Sequence, residues 1–129
     1  MDRETIETAQ FTLPPGLPFP KGIKKGHHVY VSGMTAFDEK GEFVGEGDIS
    51  RQTEQTLRNV VAVVEGAGGT LADIVKINIY LKSASDFEAM NRAYKGFFGK
   101  VAFPARTTIE AKLAWDVFLI EIEAEAIVD

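Results

Sequence analysis

From Phe118 to Val128 the chain alternates: Phe118, Ile120, Ile122, Ala124, Ala126 and Val128 share one side, opposite Glu121, Glu123 and Glu125. That period of two belongs to a β-strand with one buried face. A slip of one residue would bury the glutamates, so the register of the surrounding sheet is tightly constrained. A second alternation, Val75, Ile77, Ile79 and Leu81 against Lys76, Asn78, Tyr80 and Lys82, predicts another strand with one buried face. A further strand is expected after Phe103-Pro104-Ala105-Arg106. Pro104 fixes φ and lacks an N–H, so it suits the entry to a strand and places Arg106 at its mouth.

Two helices are expected between these strands. Asp48 is the predicted N-cap of a helix from Ile49 to about Glu65, with Ile49, Leu57, Val60, Val61 and Val64 on a stripe that Thr53 completes. Gly66, Gly68 and Gly69 would end it. Ser85-Asp86-Phe87-Glu88 has the spacing of a capping box and opens a second helix to about Phe98, turning Phe87, Met90, Tyr94 and Phe97 inward. Earlier, Val29 to Ser32 reads as a short strand ending at Gly33. Asp38 to Glu42 reads as a hairpin turn from which Phe43-Val44 returns. Four of the five prolines fall between Leu13 and Pro20, stiff extended chain unsuited to helix or central strand. Residues 1–10 read as a frayed or edge segment, with room for another short strand near Phe11.

The resulting order, β-β-α-β-α-β-β, predicts one α+β domain over residues 1–129. Its architecture would be a two-layer sandwich, with a mixed sheet and both helices on one face. The other face would carry Lys76, Tyr80 and the three glutamates. Such a mixed surface suits a subunit interface better than open solvent, so an oligomer is expected.

Composition narrows the functional classes. Fourteen Lys and Arg against 19 Asp and Glu give a net charge of -5, a poor electrostatic match for nucleic acid. With no cysteine, disulfides, thiol catalysis and thiolate metal sites are excluded. The N-terminal residues carry Asp2, Glu4 and Glu7 and no apolar run, unlike a signal peptide. No stretch has the length and apolarity of a transmembrane helix. A soluble cytoplasmic protein is the expectation.

The sequence offers no metal constellation: His27 and His28, its only histidines, are adjacent and would point to opposite faces of a strand. Gly66-Ala67-Gly68-Gly69 follows a helix instead of preceding one, so it reads as a C-cap and not a phosphate cradle. Ser32 lies in Val-Ser-Gly, without the nucleophile-elbow pattern. The polar residues left as candidates are Ser32, Asn91, Arg106, Thr108 and Glu121. Thr108 would share a strand face with Arg106. A rigidly held guanidinium can clamp a carboxylate with two parallel hydrogen bonds. The alternative reading of Arg106 is a surface ion pair, and that of the glutamates is salt bridging across an interface.

These residues also carry a resemblance. From about Phe11 onward the chain resembles the reactive intermediate deaminase (Rid, or YjgF) family. The resemblance runs through Val31-Ser32-Gly33, Asn59-Val60, Gly66-Ala67-Gly68, Asp73-Ile74-Val75-Lys76 and Asp86 to Asn91 with Tyr94 and Phe97-Phe98. Phe103-Pro104-Ala105-Arg106 and Glu121-Ile122-Glu123-Ala124 are its most specific motifs. It implies a chorismate-mutase-like fold assembled as a homotrimer, with a barrel-like core and clefts between subunits. It further implies hydrolysis of reactive enamines and imines, such as 2-aminoacrylate and 2-imino acids, to 2-keto acids and ammonia, with no metal or organic cofactor.

Within that resemblance Arg106 matches the carboxylate-binding arginine and Glu121 the acidic residue beside the attacking water. Ser32, Gly33 and Asn91 match positions lining the cleft. Departures occur at Phe19, where the family often has tyrosine, and at Thr108, where cysteine is common. Ala114-Trp115 stands where Leu-Pro is more usual. They change the rim and polarity of the cleft while keeping Arg106 and Glu121, which points to a bulkier or more apolar imino acid, or to a ring-derived enamine such as an aminomuconate. Competing expectations are a specialised catabolic deaminase and a non-catalytic trimer binding small carboxylates. A ribonuclease activity, ascribed to some of the family, ranks last given the net charge of -5.

Overall fold

The computed structural model describes residues 2–129. Its strands are β1 (Glu4–Thr5), β2 (Gly22–Lys25), β3 (His28–Met34), β4 (Ile74–Leu81), β5 (Ala105–Glu110) and β6 (Ile120–Ile127), and its helices are α1 (Ile49–Gly66) and α2 (Phe87–Phe98). They form one six-stranded sheet in the order β1-β2-β3-β6-β4-β5. All neighbours are antiparallel except β4 and β5. The parallel pair is joined through α2, as a crossover requires. The expected mixed sheet and its two helices are both present.

The alternation of β6 is realised in full. Ile120, Ile122, Ala124 and Ala126 are buried, facing Ile77, Ile79 and Leu81 of β4, Val29 and Val31 of β3, and the inner residues of both helices. β4 departs from its expected pattern at one end. A bulge between Ile74 and Lys76 inserts a residue, so Ile74 is buried and Val75 turns outward.

Asp48 caps α1 as expected, its carboxylate accepting from the Arg51 amide at 3.1 Å. The buried face is rotated from the expected stripe, with Val63 inside and Val61 only partly covered. The reason is that this face also buries Gln52, Thr53, Thr56 and Asn59. α2 lacks the expected capping box. Ser83 instead accepts from the Ser85 amide and starts a 3-10 turn over Ala84–Asp86. With the α-helix beginning only at Phe87, the inward positions are Met90, Tyr94 and Phe98; Phe87 is exposed and Phe97 half-buried.

The first hairpin is also not where it was expected. It joins β2 to β3 through Gly26, which has φ +61°. At the expected site the Asp38 carboxylate takes the Lys40 and Glu42 amides, each at 2.9 Å, and closes a local loop. Only Phe43 pairs back, as a single bridge to Phe37. Gly45 and Gly47, at φ +79° and +74°, then steer the chain into α1 before a strand can form. No strand forms near Phe11, whose fully buried side chain anchors the proline segment, while Glu4–Thr5 supplies the edge strand.

Candidate functional site: two half-sites on opposite faces of the sheet

Arg106 pairs in register with Ile77, and Thr108 with Ile79. Residues paired across a sheet point the same way, so both belong to the face that packs against the helices. The Arg106 guanidinium lies over the Tyr94 ring, 4.7 Å from its centroid, and 5.8 Å from that of Phe87. Its Nη1 stands 4.0 Å from the Met90 sulfur. Among the described residues it has no carboxylate partner within ion-pair distance. Aromatic packing therefore holds the cation while its hydrogen-bonding fork stays largely unused. Burial raises the pKa of the Tyr94 phenol, and the charge of Arg106 opposes that shift. The Thr108 hydroxyl is buried without a hydrogen-bond partner. Asn91, Tyr94, Lys95, Phe103 and Pro104 complete a shallow hollow of about 260 Å³ around Arg106.

Glu121 pairs with Tyr80 on the opposite, uncovered face. Its carboxyl is half-buried against Gly33, so close that a Cβ on Gly33 would collide with it. Burial, reinforced by the neighbouring Glu123 carboxylate, raises the pKa of Glu121. Glu123 is itself held by a short hydrogen bond from the Tyr80 hydroxyl, which raises the pKa of that phenol. Glu121 sits in a cleft of about 450 Å³ with Ser32, Gly33, Phe19, Phe37, Trp115 and Phe118 among its walls. The Ser32 hydroxyl donates to the Pro20 carbonyl at 2.7 Å and its amide donates to the Lys21 carbonyl at 3.0 Å. Ser32 thus ties the proline segment, and Phe19 with it, across the cleft.

The seven candidate residues therefore separate into two groups. Phe19, Ser32, Gly33 and Glu121 share one cleft; Arg106 and Asn91 share a hollow, with Thr108 further along the same strand face. One copy of the chain does not bring Arg106 to Glu121. Sequence reasoning missed the aromatic floor made by Phe37 and Phe118, because Phe118 read as an ordinary inward strand residue and only the fold brings Phe37 to it. No group of three or more His, Asp or Glu among the described residues is placed to hold a metal ion. His27 sits in the β2–β3 turn, its Nδ1–H donating to the Val128 carbonyl at 2.8 Å, while His28 stacks on Tyr30. No helix among them is long and apolar enough to cross a membrane.

Comparison with known proteins bears on this arrangement. The family model for Endoribonuclease L-PSP matches residues 12–128. The chain belongs to the Endoribonuclease L-PSP family. This is the Rid/YjgF family that its motifs resemble. Among the relatives of this L-PSP chain, a RutC family protein of Pyrococcus abyssi is 42% identical over 128 residues, covering 98% of each chain. The 2-iminobutanoate/2-iminopropanoate deaminase of Salmonella typhimurium is 42% identical over 113 residues, 85% of this chain and 87% of that one. Among solved structures, TdcF of E. coli with bound serine superposes with a TM-score of 0.89 at 29% identity, covering 98% of this chain and 99% of that one.

Proposed function

We propose that the protein hydrolyses 2-imino acids and their enamine tautomers to 2-keto acids and ammonia, in clefts completed by a second copy of the chain. The observation that carries this reading is the separation of an unpaired, aromatic-seated arginine from a half-buried carboxyl on the other face of the sheet. Each is half of a site. In a ring of three copies packed through their uncovered sheet faces, Tyr80 and the carboxylates would be covered, and Arg106, on the edge strand β5, would meet the Glu121 cleft of a neighbour at the rim. The serine held by TdcF and the name of the Salmonella relative support a small amino-acid-like ligand with a free carboxylate.

Arg106 takes the substrate carboxylate bidentately and turns the imine carbon toward Glu121. Glu121 orients a water, accepts its proton as the oxygen–carbon bond forms, and returns that proton to nitrogen as the carbon–nitrogen bond breaks. The elevated pKa of Glu121 suits a group that must both take and give a proton. Thr108 shares the strand face of Arg106, and backbone groups near the two would hydrogen-bond the imine nitrogen and the water. The imine carbon is already electrophilic, so positioning and proton transfer supply most of what the reaction needs.

The deciding experiment generates imines in situ with an amino-acid oxidase and traps unhydrolysed imine with semicarbazide. Wild type should lower the trapped fraction, and Arg106→Ala should restore it. Undiminished trapping with wild type for every imine would reject catalysis and leave a carboxylate-binding protein.

A further inference from the structure

We propose that the cleft beside Glu121 is a side-chain pocket for aromatic 2-imino acids, with Trp115 and Phe19 as specificity-determining residues. The inference rests on the deaminase reading above and names its substrate class. Phe37 and Phe118, each 6% exposed, form the floor of the cleft, while Phe19 and Trp115, 45% and 48% exposed, stand at its walls. Trp115 is stacked on Phe118, with centroids 5.1 Å apart and planes 17° from parallel. It also meets Phe37 nearly at right angles at 5.7 Å, and Phe37 meets Phe118 in the same manner at 6.1 Å. These rings form a fixed corner that leaves part of the indole open to the cleft. Offset-stacked and edge-on neighbours are the surroundings an incoming aromatic ring prefers.

Size points the same way. A volume of about 450 Å³ lies within the range of small-molecule pockets and far exceeds a methyl or ethyl side chain. A small imino acid would leave the aromatic walls facing water. Charge bears on the obvious competitor, since Glu121 is the one ionisable side chain among the described residues lining this cleft. A dicarboxylate such as a ring-derived muconate would bring a second anion toward Glu121, while the cations that could receive it, Arg106 and Lys95, stand in the other half-site. Glu121 itself packs against Gly33. The chemistry balances without a co-reactant: water adds oxygen to the imine carbon, both its hydrogens pass to nitrogen, and ammonia leaves with no change in oxidation state.

The test compares imines generated from phenylalanine, alanine, glutamate and lysine, in competition with semicarbazide. The phenylalanine imine is expected to show a kcat/KM about tenfold above the alanine imine. In Trp115→Ala that ratio should fall toward unity while circular dichroism reports an intact fold. A second measurement needs no variant: phenylpyruvate should inhibit hydrolysis of the alanine imine at about one-tenth the concentration of pyruvate, with 2-oxoglutarate no better than pyruvate. Preference for the alanine, glutamate or lysine imine, or equal inhibition by the keto acids, overturns the aromatic assignment and leaves the deaminase reading standing. Hydrolysis of none of the four overturns that reading first, and this inference with it.

Discussion

Gly33 and Glu121 are coupled by contact. Because the three atoms nearest an added Cβ all belong to the flexible Glu121 side chain, Gly33→Ala should displace the carboxyl without unfolding the protein. Imine hydrolysis is expected to fall by at least about tenfold. The melting temperature should move by only a few degrees, since such a shift corresponds to about 1 kcal/mol or less. Glu121 also links stability to pH. Its folded pKa lies above the ordinary 4.5, so the folded state binds a proton more readily than the unfolded chain. The ionised carboxyl therefore destabilises the fold above its folded pKa, and this penalty is relieved as pH falls through that value toward 4.5. Glu121→Gln should raise the melting temperature at pH 8 and have little effect at pH 4, while suppressing hydrolysis; thermal melts at both values check the sign. Arg106 and Glu121 could be picked out in the sequence because their surroundings are written locally, in a proline-gated strand and an alternation. Their opposite orientations were not, because facing depends on the register of β5 against β4 and of β4 against β6.

Among the elements, α1 does more than cover the sheet. Gln52 Nε2 donates to the carbonyls of Gly45 and Val117, both at 3.0 Å, and its Oε1 accepts from the Leu119 amide at 2.9 Å. Asn59 Nδ2 donates to the carbonyls of Thr35 and Phe37, at 2.9 and 2.7 Å. These two side chains hold the loops that carry Phe37, Trp115 and Phe118, so a buried polar row positions the aromatic cleft. Gln52→Leu would leave the Val117 carbonyl and the Leu119 amide without their partners, while the Gly45 carbonyl keeps the Asp48 amide. At about 1–3 kcal/mol for each buried group left unsatisfied, it should destabilise by several kcal/mol in urea unfolding. A solvent-facing glutamine would cost well under 1 kcal/mol. The existence of both helices and of β4 and β6 follows from periodicity, while the capping box read for α2 is absent and the pairing of β4 with β6 comes only from the fold. The polar row does not, because Gln52, Thr56 and Asn59 look like solvent-facing helix residues until the loops they bind are seen. The displaced first hairpin has a similar cause. Asp38 satisfies its turn locally, and the glycines that follow divert the chain, so turn chemistry without two pairing strands did not make a hairpin.

At the scale of the whole molecule, two half-sites on opposite faces predict complementation. Arg106→Ala and Glu121→Gln should each be inactive alone. If a cleft takes its arginine and its glutamate from different protomers, co-refolding the two in equal amounts should recover about a quarter of wild-type activity, by random assortment at each cleft. Activity that stays at the level of the single variants would place both residues of a working site in one chain. Sedimentation of the wild type should show an assembly larger than the 14.1 kDa chain. The sheet order has a different consequence, in time instead of space. β6 is synthesised after the other five strands of this sheet, yet it lies in the middle of the sheet between β3 and β4. Until it arrives, β1 to β3 and β4 to β5 are two fragments with no hydrogen bonds between them, each offering an open edge. A chain synthesised only as far as Leu119 therefore holds an unfinished sheet, and closure awaits Ile120–Ile127. The strand bearing Glu121 completes the fold and the cleft in the same step.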